Sequence, residues 1–188
     1  AKSISIQDYL LGQLSIMEVE DSLTEICENI IYNINDNGYL AYPLEEVVES
    51  MADEIQIEEM LEYIWMLEED HGKAESTFMD DKFGNEIARV YLNKMAEKKL
   101  ISLSNSTIVF TDNGKNRATS IIRRHRMEAP SMEQANKALK IIQSMEPPGV
   151  GARDLKECLI LQLDERDPDY NIAKELISNY LEEVELKK

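Results

Sequence analysis

Apolar residues recur at intervals of three and four along almost the whole chain, which limits it to helices with one wide buried face. From Val19 to Ile34 the apolar positions are Val19, Leu23, Ile26, Cys27, Ile30, Ile31 and Ile34. Asp36-Asn37-Gly38 stops that helix, because Asn and Gly accept the left-handed backbone of a helix end. Pro43 suits a first turn, and Leu44, Val47, Val48 and Met51 form the apolar face of a short second helix. Leu139, Ile142 and Met145 mark another, opened by Ser131-Met132-Glu133-Gln134 at capping-box spacing. Pro147-Pro148-Gly149-Val150-Gly151 forces a turn. Helix resumes near Arg153 with Leu155, Cys158, Leu159 and Gln162, and a last helix after Asp167-Pro168-Asp169 carries Ile172, Leu176, Tyr180 and Val184. The outer stretches, 1–55 and 129–188, therefore read as one split, all-helical domain.

The middle stretch, 56–128, has a different rhythm. Glu59 to Asp70 reads as a helix with Met60, Ile64 and Leu67 on one face, ended by His71-Gly72. Residues 75–83 and 86–96 read as two short helices joined through Gly84-Asn85, with Phe78, Met79, Phe83, Ile87, Val90, Tyr91 and Met95 inward. That is the spacing of a helix-turn-helix. Two β-prone stretches follow, Leu100 to Leu103 and Thr107 to Phe110, linked by Ser104-Asn105-Ser106 as in a short hairpin. Asp112-Asn113-Gly114 opens a basic helix to about Arg126. Helix, helix-turn-helix, hairpin and helix in that order make a winged helix. The fold class expected is mostly α, a helical domain plus a winged helix-turn-helix with a small β-hairpin wing.

Charge follows the same division. The chain of 188 residues has 37 acidic and 20 basic side chains and a net charge of −17, which excludes a uniformly nucleic-acid-binding surface. Residues 1–55 hold 12 acidic residues against 1 basic, 56–128 hold 13 against 11, and 129–188 hold 12 against 8. Within the middle stretch, Arg89 to Arg126 contains 9 basic residues against only Glu97 and Asp112. A basic island thus sits in an acidic chain. In a winged helix the second helix of the pair enters the major groove while the wing and flanking cations touch phosphate. Asn85, Arg89, Asn93 and Lys94 are the outward candidates there, with Glu86 beside them, and Arg123 and Arg124 follow in the basic helix.

No apolar run approaches the roughly 18 residues of a membrane span, and no charged-then-apolar signal segment opens the sequence, so no membrane partner is expected. Cys27 and Cys158 lie far apart without a CxxC pair, which fits a reducing cytoplasm better than a disulfide framework. No nucleophile stands with a base and no glycine loop is built to cradle phosphate, so an enzyme is not expected.

Two resemblances carry these readings further. In 58–126, Tyr63-Ile64-Trp65-Met66-Leu67, the run from Tyr91 to Ile101, Thr111-Asp112-Asn113-Gly114-Lys115 and Ile122-Arg123-Arg124-His125-Arg126 resemble the iron- and manganese-dependent repressors. That resemblance implies dimeric, metal-responsive DNA binding, with Glu59, Glu62 and His125 at ligand positions for Mn or Fe. Carboxylates three apart share a helix face, and neutral imidazole suits both metals. The family's dimerisation helix has no counterpart after Glu128.

The outer stretches resemble the core-binding region of bacterial sigma-54 (sigma-N) transcription factors. The strings are Ile6 to Leu14, Asn35-Asp36-Asn37-Gly38-Tyr39-Leu40, and the long run from Gln143 through Pro147-Pro148-Gly149-Val150-Gly151-Ala152-Arg153-Asp154 to Leu163. This implies a helical domain that docks on core RNA polymerase, requires no cofactor and carries out no catalysis. Arg153, Asp154 and Lys156 are the exposed polar candidates for docking. The family's glutamine-rich amino-terminal segment and its carboxy-terminal DNA-reading domains have no counterpart here, so a docking fragment is expected. The winged helix falls where the family has a short turn between helices, a place that tolerates insertion. The reading is a sigma-54-type transcription initiation factor fragment with an inserted winged helix that contacts DNA. The alternative is a metal-responsive regulator of the repressor type.

Overall fold

The computed structural model describes residues 4–122 and 129–185, with side chains through Leu181. The chain divides into two compact units, 1–49 with 130–188, and 50–129. The architecture is mostly helical with one small antiparallel sheet.

The first unit contains α1 (Ile6–Leu14), α2 (Asp21–Tyr32), α7 (Met132–Gln143), α8 (Leu155–Leu161) and α9 (Tyr170–Glu185). Ser5 caps α1 by accepting from the Asp8 N–H, and Ser131 with Gln134 forms the expected reciprocal capping box on α7. The apolar stripe of α2 is buried at Ile26, Cys27, Ile30 and Ile31 and meets Ala135, Ala138, Leu139 and Ile142 of α7. Leu10 and Leu14 of α1 are buried as well.

The helix expected to end near Met51 and the one expected from Glu59 are one element, α3 (Leu44–His71). Ala52-Asp53-Glu54-Ile55-Gln56 contains neither Gly nor Pro, so nothing stops the hydrogen-bond ladder between them. The division between the units, at Glu49 and Ser50, thus falls inside a helix and six residues before the boundary expected from sequence.

The second unit continues from α3 through β1 (Ala74–Glu75), α4 (Ser76–Phe83), α5 (Asn85–Glu97), β2 (Ile101–Ser104), β3 (Thr107–Phe110) and α6 (Asp112–Ile122). This is the element order of a winged helix, with β1 adding a short edge strand that the sequence did not suggest. The sheet order is β1-β3-β2, all antiparallel, with Ser104 opposite Thr107. Asn105 and Ser106 close the hairpin, both at positive φ (46° and 67°), as a two-residue mirror-type turn demands. Ile57, Met60, Leu61 and Ile64 of α3 pack in the core with Ala88, Leu92 and Met95 of α5 and Ala118 of α6. Gly114 permits the closure of α6, since a Cβ there would lie 1.8 Å from the Leu100 carbonyl oxygen.

Two inward assignments are corrected. Ile87 is 46% exposed and Val90 40%, because the buried stripe of α5 runs through Ala88, Leu92 and Met95 and leaves both residues off its axis. On α8 and α9, Leu155, Ile172, Leu176 and Tyr180 are exposed, and α8 has no buried residue.

Candidate functional site

In the first unit, three separated strings converge. The Gln13 side chain of α1 donates from Nε2 to the Glu146 carbonyl at 2.6 Å and accepts from the Glu146 N–H at 3.0 Å. The Asn35–Leu40 turn is closed locally, with Asn35 Oδ1 accepting from the N–H groups of Asn37 and Tyr39. It then pairs with the glycine-containing string: Leu40 N–H donates to Ala152 O at 3.0 Å, and Gly151 N–H to Gly38 O at 2.8 Å. Gly149, at φ 93°, lies against α8, where a Cβ would meet Cys158 Sγ at 2.7 Å. The Cys158 thiol, then burial, holds the Tyr39 phenol above its usual value, so the turn also reaches α8.

The three docking candidates are exposed, and each also has an internal partner. Arg153 Nη1 pairs with Glu157 Oε1 at 2.6 Å while its N–H donates to Glu157 Oε2. Asp154 caps α8 by accepting from the Glu157 N–H at 2.7 Å. Lys156 Nζ donates to the Ser178 carbonyl of α9 at 2.6 Å. These contacts fix the start of α8 and fasten it to α9. Their polar groups are partly spent inside the unit, and Leu155 of α8 and Ile172, Leu176 and Tyr180 of α9 are exposed apolar side chains of the same unit. Spacing of i, i+4 and i+8 on α9 was the signal for that stripe; a second ridge, Ala173, Ile177 and Leu181, runs beside it and is more covered.

In the second unit three cations of the basic island, Lys94, Lys98 and Arg117, are paired among the described residues. Lys94 Nζ contacts Asp53 Oδ2 at 2.6 Å, and the Tyr91 hydroxyl donates to the other Asp53 oxygen at 2.6 Å. Lys98 and Arg117 both bind Glu54, and Arg117 reaches Glu58 at 3.6 Å. Burial pushes the Asp53 and Glu54 carboxyls up, but these cations and the Tyr91 hydroxyl outweigh it and hold both below the usual range. The Asp53 bond pushes the Tyr91 phenol up to about 12. Lys94, expected to face DNA, therefore turns to α3. The side-chain content of α3, 11 acids without a Lys or Arg between Leu44 and His71, was the signal for this neutralisation.

Asn85, Arg89 and Asn93 are exposed on α5, with Glu86 beside them. Arg123, Arg124 and His125 lie outside the described residues. Glu59 and Glu62 line one hollow of about 210 Å³ together with Lys82, whose ammonium opposes a cation there. No group of three His, Cys, Asp or Glu able to hold a metal ion occurs among the described residues. No helix among them is long and apolar enough to cross a membrane.

The family profile described as "Sigma-54 factor, core binding domain" matches residues 1–70 and 110–188. The RNA polymerase sigma-54 factor of Pseudomonas aeruginosa is 23% identical over 95% of this chain and 22% of its own length. That of Escherichia coli is 37% identical over 30% of this chain and 12% of its own. That of Azorhizobium caulinodans reaches 57% over 19% of this chain and 7% of its own. The chain spans less than a quarter of the length of these relatives. With a profile match over most of its residues, the chain belongs to the sigma-54 factor core-binding-domain family.

Proposed function

We propose that this chain acts in transcription initiation by docking its first unit on core RNA polymerase. The observation that carries the reading is the convergence of the three family strings at Gln13, Tyr39-Leu40 and the Gly149–Ala152 turn, in a unit that also exposes apolar side chains on α8 and α9. Exposed Leu155, Leu176 and Tyr180 provide the non-directional part of the contact, and the acidic surface sets on-rate and orientation. No bond is made or broken in this role. Co-purification of the chain with core polymerase at low salt tests it. Capture is expected and is weakened by Leu176→Lys; absence of capture sinks the reading.

The second unit is, on this proposal, a winged helix inserted into the docking domain that contacts duplex DNA. Exposed Asn85, Arg89 and Asn93 on one helix support it, since Asn and Arg match the major-groove edges of adenine and guanine. With Lys94 paired to Asp53, Arg89 is the cation of α5 that remains for DNA among the described residues. Fluorescence anisotropy with labelled duplex across a salt series is the test. Binding that weakens with salt and is reduced by Arg89→Ala is expected; salt-independent or absent binding removes the DNA role and leaves the docking role standing.

A further inference from the structure

The outward side of α5 is polar except at one place. Its buried stripe runs through Ala88, Leu92 and Met95, and at about 100° per residue the opposite side of the helix is centred on Val90. Glu86, Arg89, Val90 and Asn93 are spaced i, i+3, i+4 and i+7 and share that side, all of them exposed. Ile87, three residues before Val90 and exposed as well, widens the apolar spot toward one flank. Neither side chain serves the core, and a β-branched residue gains nothing from an exposed helix position.

The size of the spot and its neighbours define what it meets. A protein interface has an extended apolar centre, whereas here two branched side chains stand among groups that donate and accept hydrogen bonds. On the floor of the major groove the apolar group is the C5-methyl of thymine. Arg89 matches guanine O6 and N7, and Asn93 matches adenine N6 and N7. The Glu86 carboxylate repels phosphate but accepts from cytosine N4, so it too belongs over base edges rather than over the backbone. These residues lie between Asn85 and Asn93, in the amino-terminal part of α5, the end of such a helix that reaches base edges. Resting on the DNA-contact reading of the second unit, we propose that Val90, with Ile87 at its flank, is a specificity-determining residue that reads the C5-methyl group of thymine beside the purines bound by Arg89 and Asn93. The duplex this chain prefers then carries thymine at a fixed spacing from guanine, and burying that one methyl group is worth about fourfold in affinity.

Uracil lacks only the C5-methyl of thymine, which isolates the contact. Two pools of duplexes with the same randomised centre are made, one with thymine and one with uracil, and each is bound to the full chain at low salt. The bound sequences are read, and the enriched ones are titrated as matched thymine and uracil duplexes. The thymine duplexes are expected to bind about fourfold more tightly. Val90→Asn should reduce their binding to the level of the uracil duplexes with unchanged helical circular dichroism. Val90→Thr, which keeps a methyl on Cβ, should retain the preference, and Arg89→Ala should weaken both duplexes alike. Equal binding of the matched duplexes by the parent, or a thymine preference that survives in Val90→Asn, would overturn the inference and leave DNA contact standing. Absence of binding to either pool would overturn both. Self-association in sedimentation that Val90→Asn abolishes would also overturn the inference, by giving the spot to a second copy.

Discussion

Gln13 and Glu146 exchange two hydrogen bonds across a sequence separation of 133 residues, with the glutamine amide acting as donor and acceptor to one backbone position. The pair ties α1 to the residue that enters the Pro147-Pro148 turn. Gln13→Ala removes both bonds at an exposed site, so a loss of about 1 kcal/mol of stability is expected. A urea titration of the variant checks this, and an unchanged midpoint would show that water replaces the amide without cost.

Two glycines should respond in opposite directions to alanine. At Gly149 the backbone has φ 93° and a Cβ would meet Cys158 Sγ at 2.7 Å, so Gly149→Ala should cost about 2 kcal/mol from strain and the displaced thiol. Gly12 lies within α1 with nothing near its missing Cβ, so Gly12→Ala should gain roughly 0.5–1 kcal/mol from helix propensity. Thermal melts of the two variants, side by side, give the signs.

The carboxyls of Asp53 and Glu54 predict an acid-sensitive second unit. Both are held below their ordinary values of 3.8 and 4.5, with burial overcome by Lys94 and Tyr91 at Asp53 and by Lys98 and Arg117 at Glu54. A depressed folded value contributes stability that is fully present above the unfolded value and is lost as pH falls through the folded one. Stability should therefore hold at neutral pH, begin to fall near pH 4.5 and continue to fall below 3.8. Side-chain exposures of 41% and 35% let solvent screen the pairs, so the joint contribution should stay near 1 kcal/mol. Urea midpoints at pH 7 and pH 3 for the parent and for Asp53→Asn with Glu54→Gln should differ at the higher pH and differ less at the lower.

The two thiols should separate by reactivity. Cys27 is fully buried, its Sγ–H donates weakly to the Ala138 carbonyl at 3.7 Å, and burial, then Glu28, pushes its pKa up to about 11. Cys158 is only half-buried. Alkylation of the native chain followed by mass spectrometry should modify Cys158 first and reach Cys27 only on unfolding. Early modification of Cys27 would mean that α2 and α7 separate readily.

Much of this architecture was legible because helical period and turn chemistry act locally. The stripe Ile26 to Ile34, the capping box at Ser131 and the Gly84 turn all follow from residues near one another in sequence. What escaped depends on long-range partners. Ile87 and Val90 have the spacing of a buried face, yet the core selects the adjacent stripe of α5. Lys94 looks like a phosphate contact until Asp53, 41 residues earlier, is brought beside it. The polar docking candidates were visible by exposure, but their internal work for α8 was not, because Ser178 and Glu157 meet them only in the folded unit.

The packing of α2 on α7 has a consequence for biosynthesis. The first helices of the docking unit leave the ribosome with their apolar stripe uncovered, and their partner α7 is encoded only after all of Ser50–Ala129. At roughly 5–20 residues per second, that interval lasts on the order of 4–16 s. During it Ile26, Ile30 and Ile31 lack their native cover, so the nascent chain, rather than the finished fold, is where chaperone protection of this protein matters most.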